Sequence, residues 1–144
     1  MADVKNPPEG FPQISPYLLY EDVDAAIDWL TGAFGLEQRV RMPKPDGKTM
    51  HAELGMGSGV VMMGSPGGGF RNPKHLGGAT QLVYVYVEDV NTHYERAKAA
   101  GATILRELAD QFYGDRNYTA EDPEGHQWTF TQHVRDIGPE DMHP

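Results

Sequence analysis

One pattern is written twice in this chain. Tyr20-Glu21-Asp22-Val23 and Val87-Glu88-Asp89-Val90 close two equivalent segments, with Asp22 and Asp89 separated by 89 − 22 = 67 positions. Self-similarity at a fixed spacing means that one supersecondary unit is repeated and that its copies share a core plan. Ahead of each marker lies a short β-branched and aromatic run bounded by turn residues, Ile14-Ser15-Pro16-Tyr17-Leu18-Leu19 and Leu82-Val83-Tyr84-Val85-Tyr86, which reads as a strand. After each marker comes a helical period: Val23, Ala26, Ile27, Leu30 and Ala33, then Val90, Tyr94, Ala97 and Ala100. Asp22 and Asp89 suit the N-cap, where a short carboxylate accepts from orphan backbone N–H groups. Gly35 and Gly101 suit the left-handed position beyond the last turn.

Each half then ends in a hairpin. Met50–Leu54 with Val60–Met63 forms one, and Arg116–Glu121 with Gln127–Thr131 forms the other. The expected fold class is therefore α+β: two βαβββ modules forming a curved mixed sheet around a cleft, with helices on the outer face. The boundaries within a single 1–144 domain are a module at 14–64, a Gly-rich linker at 65–79, a module at 80–133 and an extended C-terminal tail at 134–144. The glycine cluster Gly64-Ser65-Pro66-Gly67-Gly68-Gly69-Phe70 lacks the lysine and hydroxyl residue of a phosphate-cradling loop, and it reads as a flexible connection.

Successive strand residues point to opposite faces, so parity sorts the side chains. Val83, Val85, Val87, Trp128, Phe130, Ile14, Leu18, Val61 and Met63 make one apolar set, expected under the helices. Tyr17, Leu19, Tyr84, Tyr86, Met62, Thr129 and Thr131 make a mixed aromatic and polar set that no helix remains to cover, which suggests a ligand cavity. The same parity puts His51 and Glu53 on the cavity side. Arg116 and Tyr118 follow at offset 67, although Asn117 and Thr119 would then turn toward the core, where they fit poorly.

Composition narrows the function. There is no cysteine, which removes thiol nucleophiles, disulfide frameworks and thiolate metal sites. A net charge of −9 with scattered basic residues argues against nucleic acid as a partner. No apolar run approaches the ~18 residues of a membrane span, and Met1–Pro8 carries no apolar leader, so a cytoplasmic protein is expected.

The twice-written βαβββ unit resembles the vicinal-oxygen-chelate superfamily of glyoxalases, bleomycin-resistance proteins and extradiol dioxygenases. The resemblance runs from about Pro16 to Ile137. It rests on Pro16-Tyr17-Leu18, Ala33-Phe34-Gly35, His51-Ala52-Glu53-Leu54, Tyr113-Gly114-Asp115-Arg116 and Asp122-Pro123-Glu124-Gly125-His126-Gln127-Trp128. The tail His133-Val134-Arg135-Asp136-Ile137 is similar to a bacterial glyoxalase-like branch. The resemblance implies metal-ligand positions near Ser15, Met62, Leu82 and Thr129, none of which is His, Glu or Asp. Catalytic metals take about three firm N or O ligands, so neither a metal nor a cofactor is expected.

His51 and Glu53 remain the best chemical pair. Two residues apart on a strand, they stand roughly 7 Å apart on one face, and they read as a base with its orienting partner, as cavity polarity, or as a structural pair. Asp115-Arg116 reads as a fork for an anionic or carbonyl-bearing ligand or as an internal ion pair. Tyr17, Tyr84, Tyr86 and Tyr118 read as a stacking surface or as dimer packing. The expected function is metal-independent binding of a small planar or cationic molecule in the cleft by Tyr17, His51, Glu53, Met62, Tyr84, Tyr86, Arg116, Tyr118 and Thr129. The alternative is a lyase, isomerase or dioxygenase-type enzyme using His51 and Glu53. A homodimer is expected, because a module edge otherwise leaves backbone groups unpaired.

Overall fold

A computed structural model describes residues 3–65 and 67–144. Pro66, inside the expected linker, lies outside the described residues. The chain divides into two compact units, Met1–Asn72 and Pro73–Pro144. The first runs β1 (Tyr17–Leu19), α1 (Val23–Phe34), β2 (Glu37–Pro43), β3 (Thr49–Met56) and β4 (Gly59–Gly64). The second begins with a single helical turn, α2 (Pro73–Leu76). It continues with β5 (Leu82–Tyr86), α3 (Val90–Ala99), β6 (Thr103–Asp110), β7 (Asp115–Glu121) and β8 (Gln127–His133). The fold is α+β, and each unit carries its own four-stranded mixed sheet.

Strand order is β1-β4-β3-β2 in the first sheet and β5-β8-β7-β6 in the second. The first strand of each unit pairs in parallel with the last, and the other pairings are antiparallel. Strand β1 is shorter than its apolar run. Pro16 has no N–H to give a ladder, and Ile14 before it is exposed.

Both helices start as their sequence dictates. Asp22 accepts from Ala25 N at 3.0 Å and Asp89 from Thr92 N at 3.1 Å, satisfying orphan donors of the first turn. Gly35 closes α1 at φ 73°, a left-handed conformation that costs glycine nothing. Helix α1 buries Val23, Ala26, Ile27, Leu30, Ala33 and Phe34. The face of sheet one that shares this core presents Leu18, Met63, Ala52 and Leu54. In the second unit Trp128, Phe130, Tyr118 and Ala120 are fully buried, with Val90, Tyr94 and Ala97 of α3. The Trp128 and Phe130 rings lie parallel at 6.1 Å, and Trp128 Nε1 donates to Asp122 at 3.1 Å.

The two hairpins differ in length by one residue, and this corrects the expected faces. In the first unit Ala52 pairs with Met63, a separation of 63 − 52 = 11. In the second, Tyr118 pairs with Phe130, a separation of 130 − 118 = 12. Strands β3 and β4 close through Gly57 and Ser58, between the paired Met56 and Gly59, whereas at the equivalent positions Asp122 N still donates to His126 O and the chain turns through the three residues 123–125. The repeat spacing is therefore 67 on β4 and β8 but 66 on β3 and β7. A one-residue slip moves every side chain to the other face. Asn117 and Thr119, not Arg116 and Tyr118, occupy the positions of His51 and Glu53.

The linker also departs from expectation. From Pro73 onward it belongs to the second unit: Lys74 N donates to Glu124 O at 3.1 Å, which seats α2 on the β7–β8 turn. Gly125, at φ 89°, comes so close that a Cβ there would stand 3.0 Å from Lys74 N. The tail is anchored as well, since Val134 N and Arg135 N both donate to Gly114 O.

Candidate functional site

In the first unit β1, β4 and β3 align Tyr17, Met62 and Glu53 side by side across the open face of the sheet. His51 sits one step along β3, opposite Gly64. Three side chains then form a chain of hydrogen bonds. Tyr17 Oη lies 2.9 Å from His51 Nδ1, and His51 Nε2 lies 2.8 Å from Glu53 Oε2. Exposure falls along it: Tyr17 is 48% exposed, while the His51 and Glu53 side chains retain 19% and 12%. An ionised carboxylate only accepts, so it fixes the imidazole proton on Nε2. A neutral ring then has a bare Nδ1, and Tyr17 donates into it.

Gly64 makes this geometry possible. A Cβ at that position would stand 2.5 Å from Tyr17 Oη and 3.1 Å from Met50 O. Nothing in the sequence beyond the end of an apolar run singled Gly64 out. A recess of this unit, about 380 Å³ at the start of α1, sets Lys44 and Lys48 among Glu21, Asp22 and Asp24.

In the second unit Tyr84, Tyr86, Asn117, Thr119, Thr129 and Thr131 share one face of the sheet, the two tyrosines exposed and the other four buried. A recess of about 240 Å³ is lined by Leu82, Tyr84, Leu105, Tyr113, Asn117 and Gln127, with Arg106 among its walls. Tyr84 and Tyr86 meet edge to face at 5.7 Å. Behind Tyr84 stands a polar network. Its hydroxyl donates to Asp115 Oδ2 at 2.8 Å, and Asn117 Nδ2 donates to Tyr113 Oη at 3.0 Å. His133 reaches Asp115 Oδ1 at 2.8 Å and Asp136 Oδ1 at 2.7 Å through its two ring nitrogens. Both can be donors only in the imidazolium form.

The charges follow from these contacts. Burial pushes the Tyr84 hydroxyl up to about 12, and its bond to Asp115 also favours the protonated form. Burial raises the Asp115 carboxyl, but hydrogen bonds from His133 and Tyr84 outweigh it and leave it below the usual range. Asp136 and then Asp115 raise His133.

Thr129 is buried, its hydroxyl 2.7 Å from that of Thr119. Two expected site residues lie elsewhere. Tyr118 is fully buried on the helix side, its hydroxyl 2.6 Å from His93 Nδ1 and its ring 5.7 Å from that of Phe130. Arg116 shares that parity and forks onto Asp110 at 2.6 and 3.3 Å, the internal ion pair rather than a ligand fork. Sequence reasoning missed Asn117 and Thr119, whose small polar side chains were the signal that β7 had been read one residue out of phase.

A family model described as the Glyoxalase/Bleomycin resistance protein/Dioxygenase superfamily matches residues 11–130. The chain belongs to that superfamily. Among its relatives, the uncharacterised protein Mb0911c of Mycobacterium bovis is 37% identical over 136 residues, covering 91% of this chain and 90% of its own length. The crystal structure of TioX from Micromonospora sp. ML1 is similar at a TM-score of 0.71 and 37% identity, covering 85% of this chain and 99% of that one. The fosfomycin resistance protein FosX of Listeria monocytogenes shares the fold at a TM-score of 0.64, with 13% identity over 92% of this chain and 98% of its own.

Metal-dependent members of the glyoxalase superfamily need imidazole or carboxylate ligands at the strand positions that resemblance assigns here to Ser15, Met62, Leu82 and Thr129. Those positions offer two hydroxyls, a thioether and an alkyl group, and the Thr129 hydroxyl is engaged by Thr119. Divalent cations of this class favour carboxylate and imidazole. Among the described residues no group of three His, Cys, Asp or Glu side chains is placed to hold a metal ion. The donor set does not fit a glyoxalase-type metal centre, and no step is derived through one.

Proposed function

We propose that this superfamily member binds a small planar or cationic molecule on its open sheet faces without a metal. What supports the reading most is the second-unit recess, where Tyr84 stands with Tyr113, Asn117, Thr119 and Gln127 in the wall and meets the neighbouring, exposed Tyr86 edge to face. Aromatic faces capture flat ligands by stacking, and the neighbouring polar groups orient them. The net charge of −9 favours cations at long range, while Arg106 in the recess wall favours a flat ligand over a compact cation at that spot. Calorimetric titration with proflavine, anthracene-9-carboxylate and cyclohexylamine separates shape from charge. The two flat probes should bind, and Tyr84→Ala should weaken both at least tenfold. Binding of none of the three defeats the proposal.

A second reading, an isomerase or lyase acting through His51 and Glu53, is favoured by one observation. The Tyr17–His51–Glu53 chain has the hydroxyl–imidazole–carboxylate order of a base held by an orienting group. Exchange or isomerisation that His51→Ala abolishes would support it. We take the compartment to be the cytoplasm, which fractionation checks.

A further inference from the structure

We propose that the recess of the second unit takes a flat monocarboxylate, with the Arg106 guanidinium receiving the carboxylate and the Tyr84 ring lying against the flat part. The inference rests on the ligand-binding reading above and names its ligand class. The ladder between β6 and β7 carries it. Ile104 pairs with Ala120, but the next paired residues are Arg106 and Thr119, so β6 advances two residues against one of β7. A bulge of this kind re-aims a side chain. Regular alternation would send Leu105 and Arg106 to opposite faces, whereas both line the recess.

Past the bulge, Arg106, Thr119, Thr129 and Tyr84 stand in one row across the four strands. Three strand spacings separate its ends, about 14 Å between Cα atoms. The floor between them is two buried threonines whose hydroxyls lie 2.7 Å apart, so it is low and its polar groups are already satisfied. The Tyr84 hydroxyl is engaged by Asp115, which leaves its ring as the surface offered to a ligand. Arg106 differs from the arginines around it. Arg39 donates to Gly57 O, and Arg41 and Arg116 pair with Asp24 and Asp110. Arg106 makes no ion pair or side-chain hydrogen bond among the described residues.

The repeat supplies an internal comparison. The equivalent row of the first unit is Val40, Glu53, Met62 and Tyr17, and it follows a register shift of the same kind between Gln38 and Val40. A tyrosine ends both rows. The first row otherwise carries an acid and no base, the second a base and no acid, so the anion belongs to the second unit. Arg106 is the one charged side chain among the described residues lining that recess. Its planar fork matches the two oxygens of a carboxylate. One cation balances one negative charge, whereas a phosphate carries nearly two at neutral pH. A volume of about 240 Å³ lies below the range of drug-sized sites and admits one ring or two fused ones.

The test is calorimetric titration of the full-length protein with 2-naphthoate, 2-naphthamide and 2-naphthyl phosphate at neutral pH. Wild type should bind the naphthoate about tenfold or more tightly than the neutral amide, the low end for a hydrogen bond to a charged group. Arg106→Gln should erase that preference and leave the affinity for the amide unchanged. Arg106→Lys keeps the charge without the fork and should recover only part of it. Thermal unfolding confirms that each variant is folded. Equal affinity of wild type for naphthoate and amide, or an Arg106→Gln protein that still prefers the naphthoate, overturns this inference and leaves the flat-ligand reading standing. Tighter binding of the phosphate overturns the assignment of a monocarboxylate. If no naphthalene compound binds, the inference falls, and the proflavine titration decides separately whether the flat-ligand reading survives.

Discussion

Gly64 matters for the side chain it lacks. Its hydrogen faces the Tyr17 hydroxyl, and a methyl group would stand 2.5 Å from that oxygen. The obstructed atom is the end of a rotatable side chain, so Gly64→Ala should cost stability only about 1 kcal/mol while displacing Tyr17 from His51. The ¹⁵N shifts of the His51 ring report the lost bond, and unchanged shifts would refute the expectation. Trp128 shows the opposite economy. Fully buried and bonded to Asp122, it should cost about 3–5 kcal/mol on truncation to Ala, read from urea unfolding. Asp24 supplies a pH dependence. Hydrogen bonds from Thr49, then from Arg41, hold its carboxyl at about 2, well below the usual carboxylate range. A depressed folded-state pKa means that the contribution is complete above the unfolded value and is lost as pH falls. Unfolding midpoints should drop between about pH 4 and 2, and Thr49→Val should flatten that drop.

At the scale of elements, most of the fold was legible because the repeat carried it. Caps at Asp22 and Asp89, the helical periods and the four hairpin strands all follow local rules of period and turn chemistry. The β7 face was not legible, because a turn of three residues in place of two changes the repeat spacing without changing any strand's own pattern. Tyr118, as apolar as it is polar, suits either face, so only Asn117 and Thr119 argued for the true phase. The His51–Glu53 pairing could be read from alternation along one strand, but its extension to Tyr17 depended on the parallel β1–β4 register and on Gly64, which are non-local. The tail gives the prediction at this scale. Gly114 sits at φ 100°, and a Cβ there would stand 2.1 Å from the Arg135 carbonyl oxygen. Gly114→Ala should cost about 1–3 kcal/mol through strain and release the residues after His133, seen as faster cleavage of the tail by protease. Unchanged cleavage would show that His133 alone holds it.

For the whole molecule, the expectation concerns assembly. Each sheet ends in edge strands, β1 and β2 in one and β5 and β6 in the other, and unpaired edges invite a partner. A C₂ dimer is the simplest closed solution, so sedimentation at micromolar concentration should give twice the chain mass of 15.9 kDa. A monodisperse monomer would defeat this. The strand order also has a consequence for how the chain is made. Within the sheets β5 pairs only with β8, the last strand to be synthesised. Leu82, Tyr84 and Tyr86 therefore leave the ribosome some forty residues before their ladder exists, at a time when the first unit is already complete. A nascent chain stalled in that interval presents a bare, tyrosine-rich strand to its neighbours, a state in which unpaired strand edges aggregate.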